Sequence, residues 1–231
     1  MVAPLSVVIP TLDAASALPE TAATLMPGLT EGLIHELIVS DGGSSDDTLE
    51  IARGLGAVIV EGPRGRGGQI ARGVEAARAD WLLILHADTH LGPGWTDAVW
   101  RHIDSEQNAA GYFRLAFRAE GLAPRLVAAG ANFRARWLGL PYGDQGLLLE
   151  RGFLVAIGGV PEVPLMEDVI LARKLRGQKR PLNAEARTSA ERYIRDGWAR
   201  RVVRNLWTLA RFKLGVPPQR LMRGYTGDST D

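Results

Sequence analysis

The chain has 231 residues, 46% of them hydrophobic and 23% charged, with a formal net charge of +1. That is ample apolar material for a core and too much for a disordered chain, while the near balance of charge predicts no general attraction to nucleic acid. Cysteine is absent, which excludes disulfides, thiolate metal sites and thiol nucleophiles.

No apolar run reaches the roughly 18 residues of a membrane span. The early stretch PLSVVIP is short and lacks the basic flank of a signal peptide, so a cytoplasmic location is expected. Strand-like runs at 5–10, 36–40, 57–61 and 81–86 alternate with helical stretches at 15–26, 46–55, 67–78 and 94–104. Strand and helix alternating at this pitch predict a mostly parallel, Rossmann-like α/β sheet with helices on both faces. In the second half, 111–118 alternates and suits an antiparallel strand. Residues 126–139 and 167–177 suit helices, the second ending at Gly177, a residue type common after a helix end. An amphipathic helix is expected over 196–214, and the polar tail 224–231 is expected to fray. The whole reads as a single domain.

Ligands of open α/β sheets sit outside the carboxyl ends of the strands. Strand one is followed by Pro10-Thr11-Leu12-Asp13 and strand two by DGGSSDDT (41–48). That loop caps the next helix, or Asp41 accepts a hydrogen bond from a base while Gly42 and Gly43 let backbone approach a ligand. After strand three, GPRGRGGQIARG lacks both the lysine of a P-loop and a clean dinucleotide fingerprint. Its Arg64 and Arg66 either meet a base or diphosphate or lie in a solvated turn.

After strand four come His86, Asp88 and His90, at a spacing that puts all three on one face if the strand continues. Two imidazoles and a carboxylate suit zinc. A hard Mg²⁺ or Mn²⁺ held by Asp88 and substrate phosphates needs fewer protein ligands and uses the arginine loops too, so it is the preferred reading. Further on, Glu167 and Asp168 open a helix, where they serve as caps or one acts as a general base. The turn YGDQG offers Asp144 and Gln145 to sugar hydroxyls.

Residues 195–223 hold eight Arg or Lys against one acid, Asp196. In the 196–214 helix, Arg200, Arg201, Arg204 and Arg211 share a sector of roughly 100° opposite a broad apolar arc. That helix packs on the domain with its arginines in water, lies on a membrane surface, or forms the interface of a homodimer.

The ordered set VVIPTLD, DGGSSDDT, GRGGQIARG, LHADTHL, GDQG and MEDVILARKL resembles the family 2 glycosyltransferases of the GT-A fold. It is most similar to a small bacterial branch in which the H-A-D-T, G-D-Q-G and M-E-D runs occur together. The resemblance spans about residues 5–223. It implies an inverting sugar transfer from a nucleoside diphosphate sugar, UDP favoured over GDP, to an unidentified hydroxyl with the help of Mg²⁺ or Mn²⁺. A lipid-linked acceptor would place the protein peripherally at the inner face of a membrane.

Carried over residue by residue, Pro10, Thr11, Leu12 and Asp13 would line the nucleotide, and Asp41 would bond the base beside Gly42 and Gly43. Arg66 would lie over base or diphosphate. Ala87 and Asp88 would face the donor, Asp88 matching the last acid of the Asp-x-Asp metal motif. Asp168 would be the catalytic base, with Asp144, Gln145 and Glu167 toward the acceptor or sugar. Arg192 would stand near the leaving diphosphate. Residues 1–105 would form the nucleotide-sugar half, and 106–223 the acceptor half with the basic helix.

The chain departs from the pattern at His86, where many relatives have the first Asp, at Asp13-Ala14 in place of Asn-Glu, and at Glu191 and Tyr193 in place of Arg and Trp. Two alternatives stand beside this reading. One is a nucleotidyltransferase, which would want a glycine-rich loop where PTLDAAS stands; the other is a non-catalytic nucleotide-sugar binder, against which the presence of both Asp88 and Asp168 argues.

Overall fold

The computed structural model describes residues 3–105, 108–175 and 177–221, so the tail expected over 224–231 lies outside the described residues. The first half is laid down by strand–helix units. β1 (Leu5–Thr11), β2 (Ile34–Asp41), β3 (Val58–Glu61) and β4 (Trp81–Ile84) pair in parallel in the order β3-β2-β1-β4. Between them run α1 (Leu18–Thr30), α2 (Thr48–Gly54) and α3 (Arg66–Ala76). α1 starts three residues later than the sequence suggested. Pro19 falls in its first turn, where a missing N–H costs nothing.

The second half turns the sheet around. β5 (Thr89–Leu91) and α4 (Trp95–Ser105) follow, then β6 (Ala110–Phe117) and α5 (Leu122–Trp137). β7 (Leu147–Glu150), α6 (Arg151–Ala156), α7 (Glu167–Lys174) and β8 (Lys179–Thr188) come next, and α8 (Glu191–Asp196) and α9 (Trp198–Lys213) close the described chain. β7 lies antiparallel to β4 and β6, β6 is parallel to β8, and β8 is antiparallel to β5. The eight-stranded sheet, ordered β3-β2-β1-β4-β7-β6-β8-β5, is therefore mixed. The expected antiparallel strand at 111–118 is β6, and it carries one neighbour of each sense.

Side chains alternate across the strands, and this divides the core in two. Leu5, Val7, Ile9, Leu83 and Leu85 pack against Leu18 and Leu25 of α1 and Trp95 and Val99 of α4. Val8, Ile38, Leu82 and Ile84 pack on the other face against Ile70 of α3, Phe153 and Leu154 of α6, and Leu171 of α7. Burying both faces holds the sheet rigid and leaves its carboxyl edge to carry polar loops.

Candidate functional site

At the carboxyl ends of β1 and β2, Thr11 and Asp41 are register partners. Thr11 Oγ1 donates to Asp41 Oδ1 at 2.9 Å and Ser44 Oγ donates to the same oxygen at 2.5 Å. The Gly43 and Ser44 amides donate to Oδ2, both at 2.7 Å. Burial alone would raise the pKa of Asp41, but the donors of Ser44, Thr11 and Gly43 outweigh it and hold the carboxyl below its ordinary value. A carboxylate has about four acceptor positions, and the chain occupies all of them. Asp41 thus shapes this loop from within, and no acceptor position is left open toward a base. Gly43, at φ +92°, makes the turn that aims both amides inward.

The two loops are laced together. Ser45 donates to Asp13 Oδ1 from its amide (2.8 Å) and its hydroxyl (3.1 Å), and the Asp13 amide donates to Ser44 Oγ at 2.9 Å. Asp13 itself sits at φ +49°, while Pro10 and Leu12 are half-buried beside Thr11. Gln69 of α3, almost fully buried, donates to Thr11 O (2.6 Å) and Ser40 O (3.2 Å) and accepts from the Gly65 amide (3.2 Å). A Cβ on Gly42 would stand 2.9 Å from that amide side chain. One glutamine therefore ties three of the four edge loops. It lies inside GRGGQIARG, yet nothing in the sequence separates it from an ordinary helix glutamine.

At the end of β4 the expectation of one face for 86, 88 and 90 is corrected. The strand stops at Ile84, the chain turns at Ala87–Asp88, and Thr89–Leu91 resumes as β5 against β8. His90 lies 3.6 Å from Glu20, which also pairs with Arg118 at 3.0 Å. The turn is pinned by its backbone: Thr21 Oγ1 of α1 donates to Ala87 O at 2.6 Å, and the Ser189 amide and Arg118 donate to Asp88 O. Among the described residues the Asp88 carboxylate receives only a long 3.5 Å contact from Thr89 Oγ1. Among the described residues, no three His, Asp or Glu side chains gather as a metal-holding group.

Opposite this turn stands the acid pair. α7 starts after Met166, which adopts φ +70°, with Glu167 and Asp168 in its first turn. Arg66, at the start of α3, bonds Glu167 Oε1 through Nε and lies 3.7 Å from Asp168 Oδ2 through Nη2. α3 is brought there by Gly67, whose amide donates to Val163 O at 3.2 Å and whose missing Cβ would stand 2.2 Å from Pro161 O. Asp168 accepts from the Gly143 amide (3.1 Å) and from the Val169 amide (2.8 Å), and its side chain keeps 18% exposure. Glu167 is 2% exposed and its Oε2 has no hydrogen-bond partner among the described residues; burial pushes its pKa up and Arg66 opposes the shift.

The 143–145 turn divides the two residues expected to meet a sugar. Asp144 is pushed up to about 6 by burial, with Arg134 opposing and Asp168 adding to the shift, and its Oδ1 has no partner among the described residues. Gln145 is fully buried and donates to Phe113 O (3.1 Å) and Asn132 Oδ1 (3.4 Å). Its amide faces the core, so the structure does not bring it to the cleft. Tyr142, which the sequence did not single out, lies under the Arg134 guanidinium, 3.6 Å from its ring centroid.

His86 is where these segments meet. Gly143 lies so close that a Cβ there would come within 2.5 Å of His86 Nε2. Burial depresses the imidazole pKa to about 4; Arg66 and Arg192 act in the same direction, and Asp88 and Asp168 oppose them. The ring is neutral at pH 7 and feels charges from α3, the 87–88 turn, α7 and α8, with Arg192 itself exposed on α8. The cleft beside it has His86, Tyr142, Gly143, Glu167 and Asp168 among its lining, and Ile84, Val160 and Leu171 below.

Solved GT-A glycosyltransferases share this fold. S. aureus TarS, solved in complex with UDP-GlcNAc, superposes with a TM-score of 0.60 over 80% of this chain and 58% of that one, at 16% identity. Glucosyl-3-phosphoglycerate synthase from Mycobacterium tuberculosis, solved with Mn²⁺ and UDP-glucose, gives 0.55 over 80% and 69%, at 20% identity. The family model of glycosyl transferase family 2 matches residues 6–157, and the chain belongs to that family. A PGL/p-HBAD biosynthesis glycosyltransferase of M. tuberculosis is 36% identical over 99 residues, covering 39% of this chain and 38% of the relative. The chain thus spans about two fifths of the curated relatives of that kind that it matches.

Proposed function

We propose that this chain transfers a sugar, with inversion, from a nucleoside diphosphate sugar to an acceptor hydroxyl, with Asp168 as the base. The observation that carries the reading is the convergence on neutral His86 of Arg66, Asp88, Asp168 and Arg192 from four separate segments. That convergence supports a reading in which Arg66, Arg192 and Asp88 meet the diphosphate and Asp168 meets the acceptor. UDP is the favoured nucleotide because two proteins of the same fold were solved with UDP sugars.

A divalent ion fits the donor set. Asp88 offers hard oxygens that the described residues leave nearly unbonded, and substrate phosphates would supply the remaining ligands. Asp88 would hold Mg²⁺ or Mn²⁺, whose chemistry there is to neutralise charge on the departing diphosphate. The chain's own residues do the rest. The loops laced by Asp41, Asp13 and Gln69 seat the nucleoside, and Arg192 and Arg66 face the developing charge. The acceptor O–H gives its proton to Asp168 as its oxygen bonds the anomeric carbon from the face opposite the leaving group. The bond from that carbon to the diphosphate oxygen breaks, and the nucleoside diphosphate departs. The Gly143 amide and Arg66 hold the Asp168 carboxylate in place for that step.

The test is release of UDP from UDP-glucose and UDP-GlcNAc with a panel of acceptor alcohols and lipids. Asp168→Asn should lower turnover at least ~100-fold, the usual contribution of a positioned base, while UDP still binds. Unchanged turnover in that variant removes Asp168 from the role.

A further inference from the structure

Isolated exposed leucines need no explanation, but clustered ones do. Of the fourteen large hydrophobic side chains exposed among the described residues, ten lie within 122–138 and 194–214. On α5, Leu122, Leu126, Phe133 and Trp137 recur at helical spacing and are 61–73% exposed, while Pro124, Ala128, Ala131 and Ala135 face the protein. On α9, Val203, Leu206 and Trp207 are 60–66% exposed, and Leu214 beyond the helix end is 83% exposed. The two helices touch each other. The inner face of α5 is made of small residues and is already packed, so the outer stripe is a second apolar face.

The charges on these helices are of one sign. α5 carries three arginines and no acid; α9 carries four arginines and a lysine and no acid. Arg201 and Arg204 are tied to Asp196. Arg125, Arg136, Arg200 and Lys213 are exposed beside the apolar stripes. A symmetric contact with a second copy would set these cations against each other with no carboxylate on either helix to meet them. An anionic lipid surface meets both features: it receives the Leu, Phe and Trp side chains, while Arg and Lys stems run along the apolar surface with their heads among the headgroups.

We infer that α5 and α9 together form a face that docks on anionic membrane surfaces. The face borders the cleft, since Arg134 of α5 donates to Leu140 O and stacks on Tyr142, and Arg173 of α7 lies 5.4 Å from the ring of Phe212 in α9. Docking would therefore bring the cleft beside the lipid headgroups. The inference rests on exposure and charge and stands independently of the proposed chemistry.

The test is flotation of the full chain with phosphatidylcholine vesicles, with and without phosphatidylglycerol. The chain should co-float with the anionic vesicles and not with the neutral ones, and added salt should weaken the association. Trp137→Ser with Trp207→Ser should lower the bound fraction about tenfold, because both indoles are exposed anchors whose loss leaves the core intact. Arg136→Ser with Lys213→Ser should weaken binding to anionic vesicles as well. Circular dichroism should report all these variants as folded. No co-flotation, binding indifferent to headgroup charge, or binding unchanged in the tryptophan variant would each overturn the inference. So would a dimer in sedimentation that the tryptophan substitutions dissolve while vesicles remain unbound.

Discussion

Replacing Gly67 by alanine should destabilise the protein, although glycine-to-alanine in a helix ordinarily stabilises by about 0.5–1 kcal/mol. A Cβ at Gly67 would stand 2.2 Å from Pro161 O, 2.6 Å from Val163 O and 2.8 Å from Val163 N. All three are backbone atoms, so no side chain can swing away and the α3 start must part from the 161–163 segment. Overpacking of this kind costs about 1–3 kcal/mol, and losing the Gly67 N–H to Val163 O bond adds about 1 kcal/mol. Set against the helix preference, the net loss is about 1–3.5 kcal/mol. At about 2–4 °C per kcal/mol for a chain of this size, Tm should fall by about 2–14 °C.

Gly68→Ala is the internal control. The nearest atom to a Cβ there is Arg72 Nη1 at 3.4 Å, the far end of a flexible side chain. That variant should be neutral or gain about 0.5–1 kcal/mol. Thermal and urea unfolding followed by circular dichroism measure both. A Gly67→Ala protein as stable as Gly68→Ala would refute the packing that brings Arg66 to Glu167 and Asp168.

Gln69→Leu should remove the side-chain donor that Thr11 O and Ser40 O share, though Thr11 O keeps the Gly42 amide, and should leave the Gly65 amide without its acceptor, costing about 1–3 kcal/mol; titration should find UDP affinity lowered about tenfold or more, and wild-type affinity would reject Gln69 as the tie of the donor loops. The His86 imidazole should titrate in NMR near 4, and a midpoint between 6 and 7 would contradict its burial beside Arg66. Between pH 6.5 and about 4 the unfolded chain takes up a proton at His86 that the folded chain refuses, so His86 erodes stability as pH falls. Asp144, pushed up to about 6, works the other way, because the folded carboxyl takes its proton first as pH falls through 6. His86→Asn should therefore lose less stability than wild type between pH 7 and 4.5, and equal losses would contradict the assignment.

The strand-and-loop plan was legible where runs such as LSVVIP and WLLIL are apolar on both faces, because only a doubly covered sheet makes such strands. Its continuation was not: LLLE is four residues long, and KRPLNAEART is polar and interrupted by Pro181, so β7 and β8 carried no strand signal. The HADTHL spacing implied a shared face only if the strand ran on, and the turn at Ala87–Asp88, held by Thr21 from α1, ends it. Spacing could not reveal that Arg66 and Glu167, 101 residues apart, would bond. Nor could it tell that Gln145 of GDQG faces Phe113 and Asn132 while Asp144 beside it bears on Asp168. Motifs drew attention to one edge of the sheet. Packing decided which side chains reach the cleft.

The central claim is a nucleoside diphosphate seated at that edge with a metal held by Asp88. It is tested most directly by calorimetric titration of UDP, GDP and CDP, each with and without Mn²⁺, into wild type and Asp88→Ala. The account predicts that UDP binds, that Mn²⁺ strengthens its binding, and that the strengthening disappears in Asp88→Ala. Binding of no nucleotide, or a Mn²⁺ effect of equal size in the variant, would contradict it.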